Sequence, residues 1–221
     1  MNTSTQHYEF SAPRVPVASL VDGLMPVGSL NVPMCVEIVL WSAIRPGYSI
    51  QLKLDGNRVG ESRILTQDDK PGDVVYMYLD EDYLAEERAY ALCYTATNTI
   101  NQITDDTPSI PIIVDRTAPG AALLAPILFH SINFGGVLKG LVPGYADMQP
   151  GDRIQTFCND REGPTCVVLP EHLTDHPVQV VFSKEWLLSL NNDFIMISYQ
   201  VVDRAGNTSQ MARPVTLSMQ V

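Results

Sequence analysis

The chain repeats itself, and that repeat limits what it can fold into more tightly than any other feature. "RPGYSIQLKLDGNRVG" and "QPGDRIQTFCNDREG" each run from a Pro-Gly turn (Pro46-Gly47, Pro150-Gly151) through a stretch holding Ile50 or Ile154 to a polar turn. "VVYMYLDEDYLAEERAY" likewise parallels "VVFSKEWLLSLNNDF", Tyr94 matches Tyr199, and Tyr90 matches Ile195. Ala12-Pro13 and Ala118-Pro119 open the two copies. Features matched in the same order mean a duplicated module, with its joint in "VDRTAPG", residues 114–120. The expected domains are 1–116, with 1–12 as a flexible tail, and 117–221, joined by a short, stiff linker.

Periodicity says what each module is made of. In "FIMISYQVV" Ile195, Ile197, Tyr199 and Val201 fall on one side of an extended chain, and Met196, Ser198 and Gln200 on the other. Period two means strand. Asp203, Gly206 and Asn207 in "DRAGNTS" tolerate tight or left-handed backbone, so the polar break reads as a hairpin. "RAYALCYTA" places Tyr90, Leu92, Tyr94 and Ala96 on one side in the same way. Turn-rich composition, with 16 prolines and 14 glycines, agrees with many short strands and few long helices. The expected fold is all-β, two tandem sandwiches of antiparallel sheets.

"YQVVDRAGN", together with the "PGD" turn and the short turn before the penultimate strand, resembles the bacterial immunoglobulin-like repeats of large surface adhesins and intimin- or invasin-type proteins. The resemblance extends over nearly all of both halves. It implies immunoglobulin-like sandwiches at a bacterial cell surface or outside the cell, serving as spacers or adhesive modules without enzymatic activity. The first copy departs from the pattern: "YTATNTIN" lacks the Asp and the Gly-Asn, so its loop is expected to be longer and differently shaped.

Several residue groups invite chemistry. Cys35 and Cys93 have the spacing of an inter-sheet bridge, but their parity sets both away from the core, which predicts two unpaired thiols. Cys158 and Cys166 flank "NDREGPT" and could meet across a hairpin; such a bridge would contribute about 2–3 kcal/mol, and it requires an oxidising compartment. His172 and His176, beside Glu171 and Asp175, make a formal zinc set with those two cysteines. Pro170 and Pro177 bracket them too tightly for a helix, which favours a loop with solvated histidines. Asp80, Glu81, Asp82, Glu86, Glu87, Asp105 and Asp106 read as a solvated acidic face, and Asp115 or Asp203 would be the natural donors were calcium to sit at a domain end. No metal ligand and no cofactor is assigned.

Trp41, Trp186, Tyr90, Tyr94 and Tyr199 read as core, while Tyr76, Tyr78 and Tyr83 are the aromatic cluster that could stack a sugar on an outward face. Asn2-Thr3-Ser4 and Asn207-Thr208-Ser209 fit a glycosylation pattern that carries little meaning in a bacterial protein. The motifs of nucleophile elbows, phosphate-binding loops and metalloproteases are absent, so no catalytic residue is expected.

A formal charge of −11 repels phosphate backbones and argues against nucleic acid. No window reaches the roughly 18 apolar residues of a span, and "MNTSTQHYEFSAP" lacks the basic end and apolar stretch of a signal peptide. The expectation is a binding or spacer module for a protein or carbohydrate receptor, through the loops "TNTINQITDD" and "CNDREGPTC" or through a sheet edge open to self-association. The alternative is a secreted effector or toxin component using the sandwiches for carbohydrate or receptor targeting.

Overall fold

The computed structural model describes residues 10–130, 136–174 and 176–219. Two compact units emerge, Met1–Asp115 and Arg116–Val221. The first contains β1 (Met34–Val39), β2 (Tyr48–Leu54), β3 (Asn57–Ile64), β4 (Val74–Leu79), β5 (Ala89–Asn98), β6 (Thr104–Asp106) and β7 (Ile110–Ile113). β1 pairs with β4 in one sheet, and β3, β2 and β5 follow one another in the other, where β6 and β7 share the far side of β5. The N-terminal segment touches both sheets. Arg14 exchanges two backbone hydrogen bonds with Glu37 of β1, and Gly23 to Met25 pair in parallel with Ile113 of β7.

The second unit contains β8 (Val137–Val142), β9 (Arg153–Cys158), β10 (Arg161–Val167), β11 (Val178–Ser183), helix α1 (Lys184–Ser189), β12 (Phe194–Val202) and β13 (Val215–Ser218). β8 pairs with β11, and the other sheet runs β10-β9-β12-β13, the same plan as the first unit. Single bonds repeat as well. Gly47 and Gly151, both at positive φ, donate to Leu65 (2.9 Å) and Val168 (2.8 Å). Thr107 and Ala212 donate to the carbonyls of Tyr94 (3.0 Å) and Tyr199 (2.9 Å).

Alternation builds each core. Val36, Ile38, Val75 and Leu79 of one sheet meet Ile50, Leu52, Leu92 and Tyr94 of the other, all essentially inaccessible. Val180, Phe182, Ile154, Ile197 and Tyr199 do the same in the second unit. Burying each aliphatic chain contributes about 1.5–3 kcal/mol, so parity decides which face of every strand turns inward. Trp41 lies in the first core, edge-on to Tyr48 at 5.7 Å and to Phe10 at 4.8 Å. Phe10 belongs to the stretch expected to be a loose tail; ring packing fixes it in place. Trp186 is half-buried on α1, whose N-terminus is capped by Ser183 Oγ accepting from Trp186 N at 3.1 Å.

The corner between β4 and β5 differs between the copies. In the first unit the Tyr90 hydroxyl turns back to donate to the Glu86 carbonyl (2.9 Å), a device of Greek-key sandwiches that ties a strand start to the preceding loop. Ile195 stands at that place in the second unit, and α1 fills the corner instead.

Two hairpins share one clamp. Asp55-Gly56 and Asn159-Asp160 all lie at positive φ, as a tight two-residue turn of primed type requires. Asp55 N donates to Ala91 O (2.9 Å) while Ala91 N donates to Asp55 Oδ1 (2.8 Å). Asn159 N donates to Met196 O (3.0 Å) and Met196 N to Asn159 Oδ1 (2.8 Å). "CNDREGPTC", read from the sequence as a turn-rich stretch between two strands and as a contact loop, is a clamped hairpin with a two-residue turn. Its register also bears on the possible bridge between Cys158 and Cys166. Cys158 faces Arg161 and Cys166 faces Ile154, four residues along β9, which separates the two cysteines by roughly 13 Å. Both are free thiols, and a disulfide needs Cα atoms within about 7 Å. Cys93 does point outward but is nonetheless buried, because it sits across from Lys53 beside Asp106.

Acid should separate the two units. The backbone N–H of Ala91, with Arg88, holds Asp55 below its ordinary 3.8; Thr66 N–H and Arg63 do so for Asp69, and Lys53 with Thr95 for Asp106. Each lends the first unit stability that is present above the unfolded value and lost as pH falls through the depressed folded one. In the second unit burial raises Asp152, so the penalty on its ionised form is relieved as pH falls through the raised value towards 3.8. Trp41 and Trp186 report one unit each. Below about pH 4 the Trp41 signal, read in Trp186→Phe, should unfold at lower urea than at pH 7. The Trp186 signal, read in Trp41→Phe, should shift less or in the opposite sense. Equal acid shifts in both signals would refute this assignment.

Candidate functional site

β5 outruns its neighbours, and its hairpin with β6 carries residues 98–103 at the tip. Asn98 N donates to Ile103 O (2.9 Å) and Gln102 N to Asn98 O (2.8 Å), which closes the loop on itself. Side chains add further bonds: Ile100 N to Asn98 Oδ1 (3.0 Å), Ile103 N to Asn101 Oδ1 (3.2 Å) and Gln102 Nε2 to Thr99 O (2.7 Å). Thr99 Oγ1 ties the tip to Gly47 O, and Asn98 Nδ2 reaches the Tyr48 hydroxyl at 3.4 Å. With several of its polar groups bonded within the loop, Ile100 at 87% and Ile103 at 58% exposure stand in solvent among exposed Thr99, Asn101 and Gln102. A braced tip loses little conformational freedom on contact, which favours binding.

The matching tip in the second unit offers nothing comparable. It spans residues 203–207 and is one residue shorter, Val202 facing Thr208 where Thr97 faces Thr104 in the first unit. Asp203 accepts from Asn207 N (2.8 Å) and Asn207 Nδ2 (2.9 Å), and Ala205 and Asn207 are buried. The different tip shapes expected from "YTATNTIN" and "YQVVDRAGN" are present in the structure. Asn207, already bonded and buried, is no acceptor for a glycan; Asn2 lies outside the described residues.

The outward face of β1 and β4 carries aromatic rings. Tyr76 stands across from Glu37 and Tyr78 across from Cys35, with Val74 across from Val39. The two rings are 53% and 61% exposed, and Tyr83 projects from the following 3-10 turn. In the second unit the equivalent face carries Lys139, Leu141, Gln179 and Val181 and no aromatic side chain.

The remaining candidates are dispersed or already occupied. Cys158 is fully buried and its thiol is pushed up to about 12 by desolvation, while Cys166 is pushed up to about 11. His172 lies in a 3-10 turn, Pro170–Leu173, where its Nδ1 accepts from Leu169 N (2.9 Å); Glu171 and His176 are exposed, and Asp175 lies outside the described residues. Among the acids, Asp106 holds Lys53 Nζ at 2.6 Å and Glu86 holds Arg88 Nε at 3.1 Å. Among the described residues no three His, Cys, Asp or Glu side chains gather as a metal site. Asp152 is the one carboxylate pushed up by burial among the described residues. It accepts from the Tyr145 hydroxyl (2.8 Å) and Gln149 N (3.0 Å), bonds that brace the Pro150-Gly151 turn.

No family model and no curated protein sequence matches the chain. Three solved structures are similar in chain path. One is a solved chain from a structural study of host cell surface retention of a 1.5-MDa bacterial ice-binding adhesin, at 17% identity and a TM-score of 0.47 over 89% of this chain; this chain spans 60% of that solved chain. The fibronectin(III)-like modules of CbhA from Clostridium thermocellum are 12% identical, with a TM-score of 0.46 over 94% of both chains. A β-1,2-glucanase from Parabacteroides distasonis is 13% identical, with a TM-score of 0.31 over 86% of this chain and 31% of the other. The fold itself rests on the strand pairing described above, an all-β pair of antiparallel sandwiches.

Proposed function

We propose that the chain is a non-enzymatic binding and spacer module of a bacterial surface or secreted protein, engaging a receptor through the tip at residues 98–103. The observation that carries this reading is the self-bonded loop that holds Ile100 and Ile103 in solvent. The remaining sandwich surface serves as a rigid mount. No described helix is long and apolar enough to cross a membrane. A second reading, a secreted effector or toxin component that targets carbohydrate, is favoured by the outward Tyr76 and Tyr78 with Glu37 beside them.

Beads coated with the chain would be tested on a printed oligosaccharide array and on wells coated with collagen, fibrinogen or laminin. Saturable retention should fall about tenfold or more in Ile100→Asp/Ile103→Asp, with melting unchanged because neither side chain is buried. Retention that survives this change but fails in Tyr76→Ala/Tyr78→Ala would transfer the role to the aromatic face. Turnover of nitrophenyl glycosides or esters would sink both readings.

A further inference from the structure

β11 has an open side. On its other side it pairs with β8, and the bond from Lys184 N to Gly136 O (3.0 Å) extends that ladder. Hydrogen-bonded pairs alternate along an antiparallel ladder. Val178, Val180 and Phe182 therefore bond to β8, while Gln179, Val181 and Ser183 direct their N–H and C=O groups away from it. Among the described residues no strand pairs with them there.

Edge strands of other sheets carry the devices that prevent strand addition. β3 holds Arg58, Glu61 and Arg63 and a register shift, and β10 holds Arg161, Glu162 and Pro164 and another shift. β11, "VQVVFS", has no charge, no proline and no shift.

A cleft of about 420 Å³ runs along this edge, lined by Glu162, Gly163, Pro164, Val181, Ser183 and Trp186. Its β10 wall is fixed. Gln155 Nε2 donates to Gly163 O (2.9 Å) and Thr156 Oγ1 to Pro164 O (2.6 Å), holding the bulge in shape. A Cβ on Gly163 would stand 2.7 Å from Thr156 Oγ1 and 3.3 Å from the Trp186 ring, so glycine lets the wall approach the indole.

We infer that this edge takes up an extended peptide with a basic side chain, which lies between the Trp186 ring and the Glu162 carboxylate. Strand addition draws affinity from main-chain bonds and specificity from pockets for alternate side chains. Glu162 is the charged residue lining the cleft, and a cation there also meets an aromatic face. Lys139, across from Val181, belongs to β8 on the opposite side of the strand. A second copy of this chain, at a formal −11, is the poorer occupant. The inference rests on the chain being a binding module, and it adds a second contact and the chemistry of its partner.

The probe is the blocked hexapeptide acetyl-Thr-Arg-Val-Arg-Val-Thr-amide, with Glu replacing Arg in its control, added to the full chain in a Trp41→Phe background. The basic peptide should slow amide exchange at Gln179 and Val181 about tenfold or more and shift Trp186 emission. Val181→Pro removes an outward N–H without costing a ladder bond and should abolish both effects, as should Glu162→Lys. Val181→Pro should retain a cooperative Trp186 melt and the bead retention that depends on Ile100 and Ile103, so failure at this edge is distinguishable from failure of the loop reading. An equal response to the acidic control overturns the proposal. So does peptide binding that ignores Val181→Pro, or a concentration-dependent dimer that Val181→Pro dissolves.

Discussion

Gly23→Ala should lower the unfolding free energy of the first unit by about 2–5 kcal/mol. Gly23 sits at φ +80, and a Cβ built there would lie 2.0 Å from the carbonyl oxygen of Pro111. Forcing alanine into left-handed backbone costs about 1–2 kcal/mol, and displacing a packed neighbour about 1–3 more. The neighbour here is backbone and cannot rotate aside. Relief must come from moving the segment away from β7, which breaks the bonds from Ile113 N to Gly23 O and from Met25 N to Ile113 O, both 2.9 Å. Gly56→Ala is the control. Gly56 has the same φ of +80, but an added methyl group there would meet nothing within 4 Å, so it should cost only the roughly 1–2 kcal/mol of backbone strain. Urea unfolding followed through Trp41 measures both, and a Gly23→Ala loss no larger than that of Gly56→Ala would show that the close approach is not real.

The two matched tyrosines should respond oppositely to loss of their hydroxyls. Tyr199 donates to the carbonyl of Ala125 at 2.7 Å, so Tyr199→Phe leaves that acceptor unsatisfied and should cost the second unit about 1–3 kcal/mol. The hydroxyl of Tyr94 is buried without a hydrogen-bond partner among the described residues. Tyr94→Phe removes a polar group that gains nothing from its surroundings, and should leave the first unit unchanged or about 1 kcal/mol more stable. Burial pushes both phenols up to about 12, so the comparison holds at any pH below 9 or so. Urea melts through Trp41 and Trp186 decide it; losses of equal size would mean that Tyr94 has a partner after all.

What the sequence reveals and what it hides follow from the range of the interactions. Parity is local, so Tyr90, Leu92, Tyr94 and Ala96 could be turned inward from their spacing alone, as could Ile195, Ile197, Tyr199 and Val201. Both hairpins read as polar turns between strands, and Asn159-Asp160 serves without the glycine of Asp55-Gly56 because Asn and Asp also tolerate positive φ. Cys158 and Cys166 looked joinable because distance in sequence does not reveal register, and a tight turn sets them four positions apart on β9. For the candidate tip, "TNTINQITDD" reads as a polar loop, whereas the exposure of Ile100 and Ile103 and the bonds that the Asn and Gln side chains make within the loop are set by its three-dimensional closure. The cleft at β11 was beyond reach from sequence, since it forms where edges of two different sheets come together.

The parallel pairing of Gly23–Met25 with Ile113 has a mechanical consequence. One strand of that pair comes from near the start of the unit and the other from its end. Tension applied through those ends slides the strands lengthwise past each other, so both hydrogen bonds bear the load together instead of parting one after another. Under such a pull the unit would resist stretching at this latch first, a seam at the opposite end of β5 from the 98–103 tip.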